Sequence, residues 1–114
     1  MKRVAIPILE EKLSEYFGQC SHYEIFEIDG QKISRHNIDM APDKHRGDLP
    51  EWTLSKGITD IIVHKVDKQI ISRFLANKIN LFVGVEINSP QLLIEDYLNG
   101  KLTSNKNIIK EITN

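Results

Sequence analysis

The stretch Ile58-Thr59-Asp60-Ile61-Ile62-Val63-His64 decides the fold. It is short, β-branched and apolar at neighbouring positions, the pattern of a strand covered on both faces. Arg3-Val4-Ala5-Ile6-Pro7-Ile8-Leu9 is the segment most like it. Pro7 is expected at the end of that strand, because proline donates nothing to a ladder. The two strands belong side by side in the centre of a sheet. Chain order then reverses between them, and the crevice outside their carboxyl ends becomes the default ligand site.

Working outward from this pair, Tyr23 to Ile28 and Lys32 to Ile38 flank the turn dipeptide Asp29-Gly30 and read as a hairpin, its more polar second strand at an edge. Asp48-Leu49-Pro50-Glu51 carries a capping-box-like helix start, and Gly57 ends that helix. Asp67 is placed to cap a helix with Ile70, Ile71, Phe74 and Leu75 on one face. Ile79 to Val85 returns as a strand. Ser89-Pro90 then opens a helix with the stripe Leu93, Ile94, Tyr97 and Leu98, closed by Gly100. This order predicts an α/β protein, a three-layer α/β/α sandwich around one mixed sheet of about five strands, with one antiparallel hairpin strand.

The chain has 114 residues, below the roughly 150 used as a prior per domain, so one domain is expected. It is placed at residues 1–102, with 103–114 as a C-terminal tail. Hydrophobic residues make up 40% and charged residues 27%, a globular composition. Fifteen basic against sixteen acidic residues leave a net charge of −1, which supplies no pull toward phosphate backbones or anionic lipid. Neither nucleic acid nor a membrane is an expected partner. Cys20 is the single cysteine, so an internal disulfide and an all-cysteine metal site are excluded. No apolar run approaches the roughly 20 residues of a membrane span. The reading is a cytoplasmic protein.

Ala5-Ile6-Pro7, Ser14 with Phe17-Gly18, Tyr23 to Ile28, Leu49-Pro50-Glu51-Trp52, Lys56-Gly57-Ile58, Asp60-Ile61-Ile62 and Leu98-Asn99-Gly100-Lys101-Leu102 follow one another in a characteristic order. In that order and spacing the chain resembles the dinitrogenase iron-molybdenum cofactor biosynthesis family, the NifX-like small domains, over about residues 3–102. The resemblance implies an RNase H-like fold. It also implies a non-catalytic role in binding or carrying an iron-sulfur or iron-molybdenum cofactor precursor, with an iron-sulfur or nitrogenase-type assembly protein as partner. Two positions depart from the family pattern. Tyr16 stands where histidine often precedes Phe-Gly, and His64-Lys65-Val66-Asp67 replaces a glycine-rich loop, which puts bulky titratable groups where backbone would approach a ligand.

The ligand mouth is expected to gather Ser14, Cys20, His22 and His64, with His45 as a flap from the polar loop 39–47. Cys20-Ser21-His22 offers a thiol and an imidazole two residues apart, which on an extended segment face the same side and suit a soft metal. The plainer reading of the same residues is a small buried thiol and a surface histidine. Phe17 is expected to anchor its loop on the core, and Gly18 to supply a backbone shape other residues resist. Two other functions fit the same fold: a degenerate family member acting through protein partners, and an RNase H-like metal-dependent nuclease. The nuclease needs several carboxylates converging on paired metal ions, and the first strand carries none.

Overall fold

A computed structural model of the chain describes residues 1–43, 45–105 and 107–108. The first strand, β1 (Lys2–Leu9), runs through the middle of the sheet. Val4, Ala5, Ile6 and Ile8 are all buried, because both faces of this strand are covered. A two-residue reversal at Glu10 and Glu11, both at positive φ (54° and 68°), returns the chain into β2 (Lys12–Leu13), which pairs antiparallel with the end of β1. The hairpin β3 (His22–Asp29) and β4 (Lys32–Met40) follows, with β3 antiparallel to β1. A one-turn 3-10 helix at Arg46–Asp48 leads into α1 (Leu49–Ser55). Then come β5 (Asp60–Ile62), α2 (Lys68–Ala76), β6 (Asn80–Phe82) and α3 (Pro90–Leu98).

The sheet is mixed, in the order β4-β3-β1-β5-β6 with β2 against β1, six strands with three α-helices. β5 lies parallel to β1, Val4 opposite Asp60 and Ala5 opposite Ile61, as the two apolar segments foretell. β2 is a sixth strand beyond the five expected. Pro7 is interior to β1 and not at its end. It falls between the residues that pair with β5 and those that pair with β2, so no ladder partner needs its missing N–H on that edge, while its carbonyl accepts from Ser14 N at 2.9 Å.

Strand alternation divides the core in two. Ala5, Tyr23, Ile25, Ile61 and Val63 face α1 and α2, meeting Leu49, Ile70 and Phe74. Val4, Ile6, Ile8, Phe26, Ile28 and Ile62 face α3, meeting Leu93 and Ile94. On α2, Leu75 departs from the expected stripe and is exposed, the buried face being narrower and centred on Ile70 and Phe74. Asp48 makes no side-chain capping bond at α1, whereas Ser89 accepts from Leu92 N at α3.

After α3 the chain turns back across the sheet. Val83 N donates to Ser104 Oγ at 3.1 Å and Asn105 N donates to Val83 O at 2.8 Å, so the first residues of the expected tail are tied to the strand end. Lys106 and residues 109–114 of that tail, including Ile109 and Ile112 of its apolar cluster, lie outside the described residues, as does Lys44 of the polar loop. Among the described residues no helix is long and apolar enough to cross a membrane.

Candidate functional site

The carboxyl ends of β1, β5 and β6 open at one end of the sheet, and the segment after β2 crosses this end. Lys65 N donates to Glu15 O at 3.0 Å and Phe17 N donates to Lys65 O at 2.8 Å, a short bridge that ties the two loops together. Phe17 is 2% exposed and lies edge-on to Phe74, ring centres 5.4 Å apart. Gly18 has φ of 99°, a conformation that L side chains resist. The Lys65 ammonium lies over the Tyr16 ring at 5.4 Å, so Tyr16 is engaged with the segment that follows β5.

His64 leaves β5 into this mouth. Its Nδ1 lies 2.8 Å from Val85 O; a carbonyl only accepts, so Nδ1 carries the proton of the neutral ring. Nε2 is then the nitrogen left for a ligand. This is the arrangement in which a backbone carbonyl fixes the tautomer and heading of a metal-binding imidazole. His64 lines a cleft of about 790 Å³ with Gly84, Glu86, Thr103, Ser104 and Asn105. The volume falls within the range of small-molecule sites, roughly 300–1,000 Å³. Gly84, at φ 74°, lets the returning chain settle against β6: a Cβ there would stand 2.8 Å from the Cβ atoms of Asn105 and Ile108.

The other expected site residues have different surroundings. Ser14 is 2% exposed and donates its hydroxyl proton to Tyr16 O at 2.9 Å, which holds the loop. Cys20 packs half-buried against the α1 side of the core. Burial pushes its thiol above the ordinary value, only partly offset by hydrogen bonding to Tyr23 and its own backbone, which disfavours the thiolate that binds metal. Tyr23, its ring tilted against Trp52 with centres 5.1 Å apart, is raised by burial first and then by Cys20. Its hydroxyl lacks a full hydrogen-bond partner, the weakly bonding thiol being its polar neighbour.

His22 lies on the α3 side of the sheet, Nδ1 3.0 Å from Ser21 Oγ and Nε2 3.7 Å from Glu24, whose other oxygen meets His36 at 2.7 Å. The two-residue rule that joins Cys20 to His22 fails because Ser21 is a bend and β3 begins only at His22. His45 lines a separate cleft of about 340 Å³ with Gly47, Asp67, Gln69 and Arg73. The five residues are therefore not brought to one point. Among the described residues no three His, Cys, Asp or Glu side chains gather to hold a metal ion.

Asp60, the carboxylate on a central strand, begins β5 at the opposite end of the sheet from the mouth. It is 3% exposed and accepts from Thr59 Oγ1 at 2.6 Å, Tyr97 Oη at 3.2 Å and Asn80 Nδ2 at 3.4 Å. This is a structural network, and it supplies no converging carboxylates for the nuclease alternative. The sequence reading missed Glu86, Thr103, Ser104 and Asn105 as cleft residues. The strand end at Val85, delivered to the same mouth as His64, was the available signal.

The match to known proteins agrees with this architecture. The family model for dinitrogenase iron-molybdenum cofactor proteins covers residues 1–100, and the chain belongs to that family. Among solved structures, PH0822 superposes with a TM-score of 0.83 at 23% identity, over 91% of this chain and 95% of that one. A protein from Methanocaldococcus jannaschii described as a dinitrogenase gives 0.73 at 17% identity, over 91% and 94%. A Thermotoga protein described as NifB gives 0.68 at 20% identity, over 91% and 93%. At these identities the likeness is one of fold. A search of curated proteins found no match.

Proposed function

We propose that this protein is a non-catalytic carrier of an iron-sulfur or iron-molybdenum cofactor precursor, acting in the cytoplasm and passing its cargo to an assembly protein. The architecture is read as a three-layer sandwich of the RNase H-like type. The observation that carries the proposal is His64, which a backbone carbonyl orients at the carboxyl end of a central strand inside the cleft. Family membership supports a cargo of this class.

The sparse ligand set suits a carrier. A closed structural metal site uses four protein ligands and holds its metal for the life of the fold. A single imidazole with polar neighbours Thr103, Ser104 and Asn105 leaves most coordination positions to the cargo's own sulfides, so the cargo can be released. Cys20 with His22 is the competing attachment; Ser14, which holds the loop, and His45, from its separate cleft, are read as further cargo contacts.

Anaerobic reconstitution with ferrous iron and sulfide, followed by visible absorption and iron analysis, tests this reading. Wild type is expected to retain iron after desalting and His64→Ala to lose it, with Cys20→Ala and His22→Ala close to wild type. Equal retention by wild type and His64→Ala overturns the assignment. Loss confined to Cys20→Ala moves the site to the thiol.

A further inference from the structure

The edge of the sheet opposite β6 carries a second feature, independent of the cleft. β4 is nine residues long, and among the described residues no strand pairs with its outer side. Lys32–Met40 contains neither proline nor glycine, and the one irregularity of its ladder lies at the hairpin end, beside Ile28. A long regular edge presents a row of unpaired N–H and C=O groups, a template for another strand.

Register and charge identify the strand that fits. Ala41 N donates inward to Ser21 O at 3.2 Å, so by alternation Met40, Ile38 and His36 direct their backbone groups outward. A twofold axis through Asn37 of two antiparallel copies makes hydrogen-bonded pairs of His36 with Ile38 of the second copy, and the reverse. The same register sets Arg35 opposite Asp39 of the second copy, twice. These are non-hydrogen-bonded positions, where opposing Cα atoms come within about 4.5 Å and side chains meet most closely.

Neighbouring registers lack this match. An axis through His36 would set Ile33 against Asp39, and one through Arg35 would set that guanidinium against its own copy. Each charge has one partner in its own chain and is still open to solvent: Arg35 Nε lies 3.5 Å from Glu27 Oε2 with the Arg35 side chain 70% exposed, and Lys56 reaches Oδ2 of Asp39 at 3.6 Å. Ile38 and Met40, 60% and 71% exposed, would gain His36 and Ser34 of the second copy as cross-strand neighbours.

We propose that β4 is a homodimerisation edge, through which a second copy of this chain adds antiparallel about Asn37 to give one continuous sheet. Sedimentation equilibrium on the whole chain, from about 1 to about 500 µM, should show a mass rising toward twice the 13.1 kDa of the monomer. Arg35→Asp and Asp39→Arg each replace two attractions by two repulsions, and each should weaken the dimer about tenfold or more. The double variant R35D/D39R restores both pairs with exchanged signs and should return the affinity of wild type. Ile38→Pro removes an outward N–H that β3 does not use and should give a monomer with an unchanged circular dichroism spectrum. A monomeric mass at every concentration overturns the proposal, as do equal dissociation constants in all variants. A double variant as weak as the single ones overturns the register.

Discussion

Removing the Phe17 ring tests whether the mouth is built on the core. Phe17 is almost fully buried and meets Phe74 edge-on at 5.4 Å, while its backbone N–H holds Lys65 O at 2.8 Å. Truncating a buried phenylalanine to alanine costs about 3–5 kcal/mol, from lost transfer energy and the cavity left behind. With a urea slope of about 2 kcal/mol per molar, the denaturation midpoint of Phe17→Ala should fall by about 1.5–2.5 M. Phe17→Leu keeps most of the volume and should cost about 1–1.5 kcal/mol. A cycle of Phe17→Leu with Phe74→Leu isolates the ring pair, expected at about 0.5–1.5 kcal/mol of coupling. Trp52, the single tryptophan, sits beside Tyr23 in the same half of the core, so its fluorescence reports unfolding without a label. A midpoint for Phe17→Ala within about 0.3 M of wild type, or a coupling near zero, would refute the anchoring argument.

Glu11→Gly should stabilise the fold by about 0.5–1 kcal/mol and raise the melting temperature by about 2–4 °C, since glycine accepts the positive φ that Glu11 adopts at 68°. An unchanged or lower melting temperature in calorimetry counts against that strain. Tyr97 is pushed up to about 12 by burial, then by the Asp60 charge and its hydrogen bond. Its folded pKa thus exceeds the unfolded value near 10; the stability it contributes is complete below pH about 10 and is lost as pH rises through about 12. Asp60→Asn should bring the Tyr97 ionisation down toward 10, followed by tyrosinate absorbance with Tyr97→Phe as the blank, and an unmoved titration would refute the assignment.

Much of the fold follows from two apolar segments. Cover on both faces forces Val4–Ile8 and Asp60–Ile62 to the centre, and the turn at Gly30 forces β4 outward to the edge. β2 escapes such reading because Lys12-Leu13 is too short for a period, and the reversal before it uses two glutamates where turn statistics favour asparagine and glycine. In the site, His64 was legible because strand order alone fixes which loop reaches the mouth. The facing wall was not, because Ser104 and Asn105 dock through single polar bonds to Val83 and carry no apolar pattern. Cys20 and His22 are close in sequence and apart in environment, since a bend at Ser21 cancels the alternation on which their pairing rested.

The central position of β1 also sets an order of assembly. Its contacts with β3 span about 20 residues and can form with the β3–β4 hairpin as soon as residue 40 is free, whereas its other edge waits for Asp60 and Ile61. During synthesis the most apolar strand of the protein therefore stands half-paired, with Val4 and Ala5 open along one side, until some twenty further residues have emerged. Truncated chains that stop before β5 have no partner strand for that edge, and an open apolar edge is a template for intermolecular strand pairing.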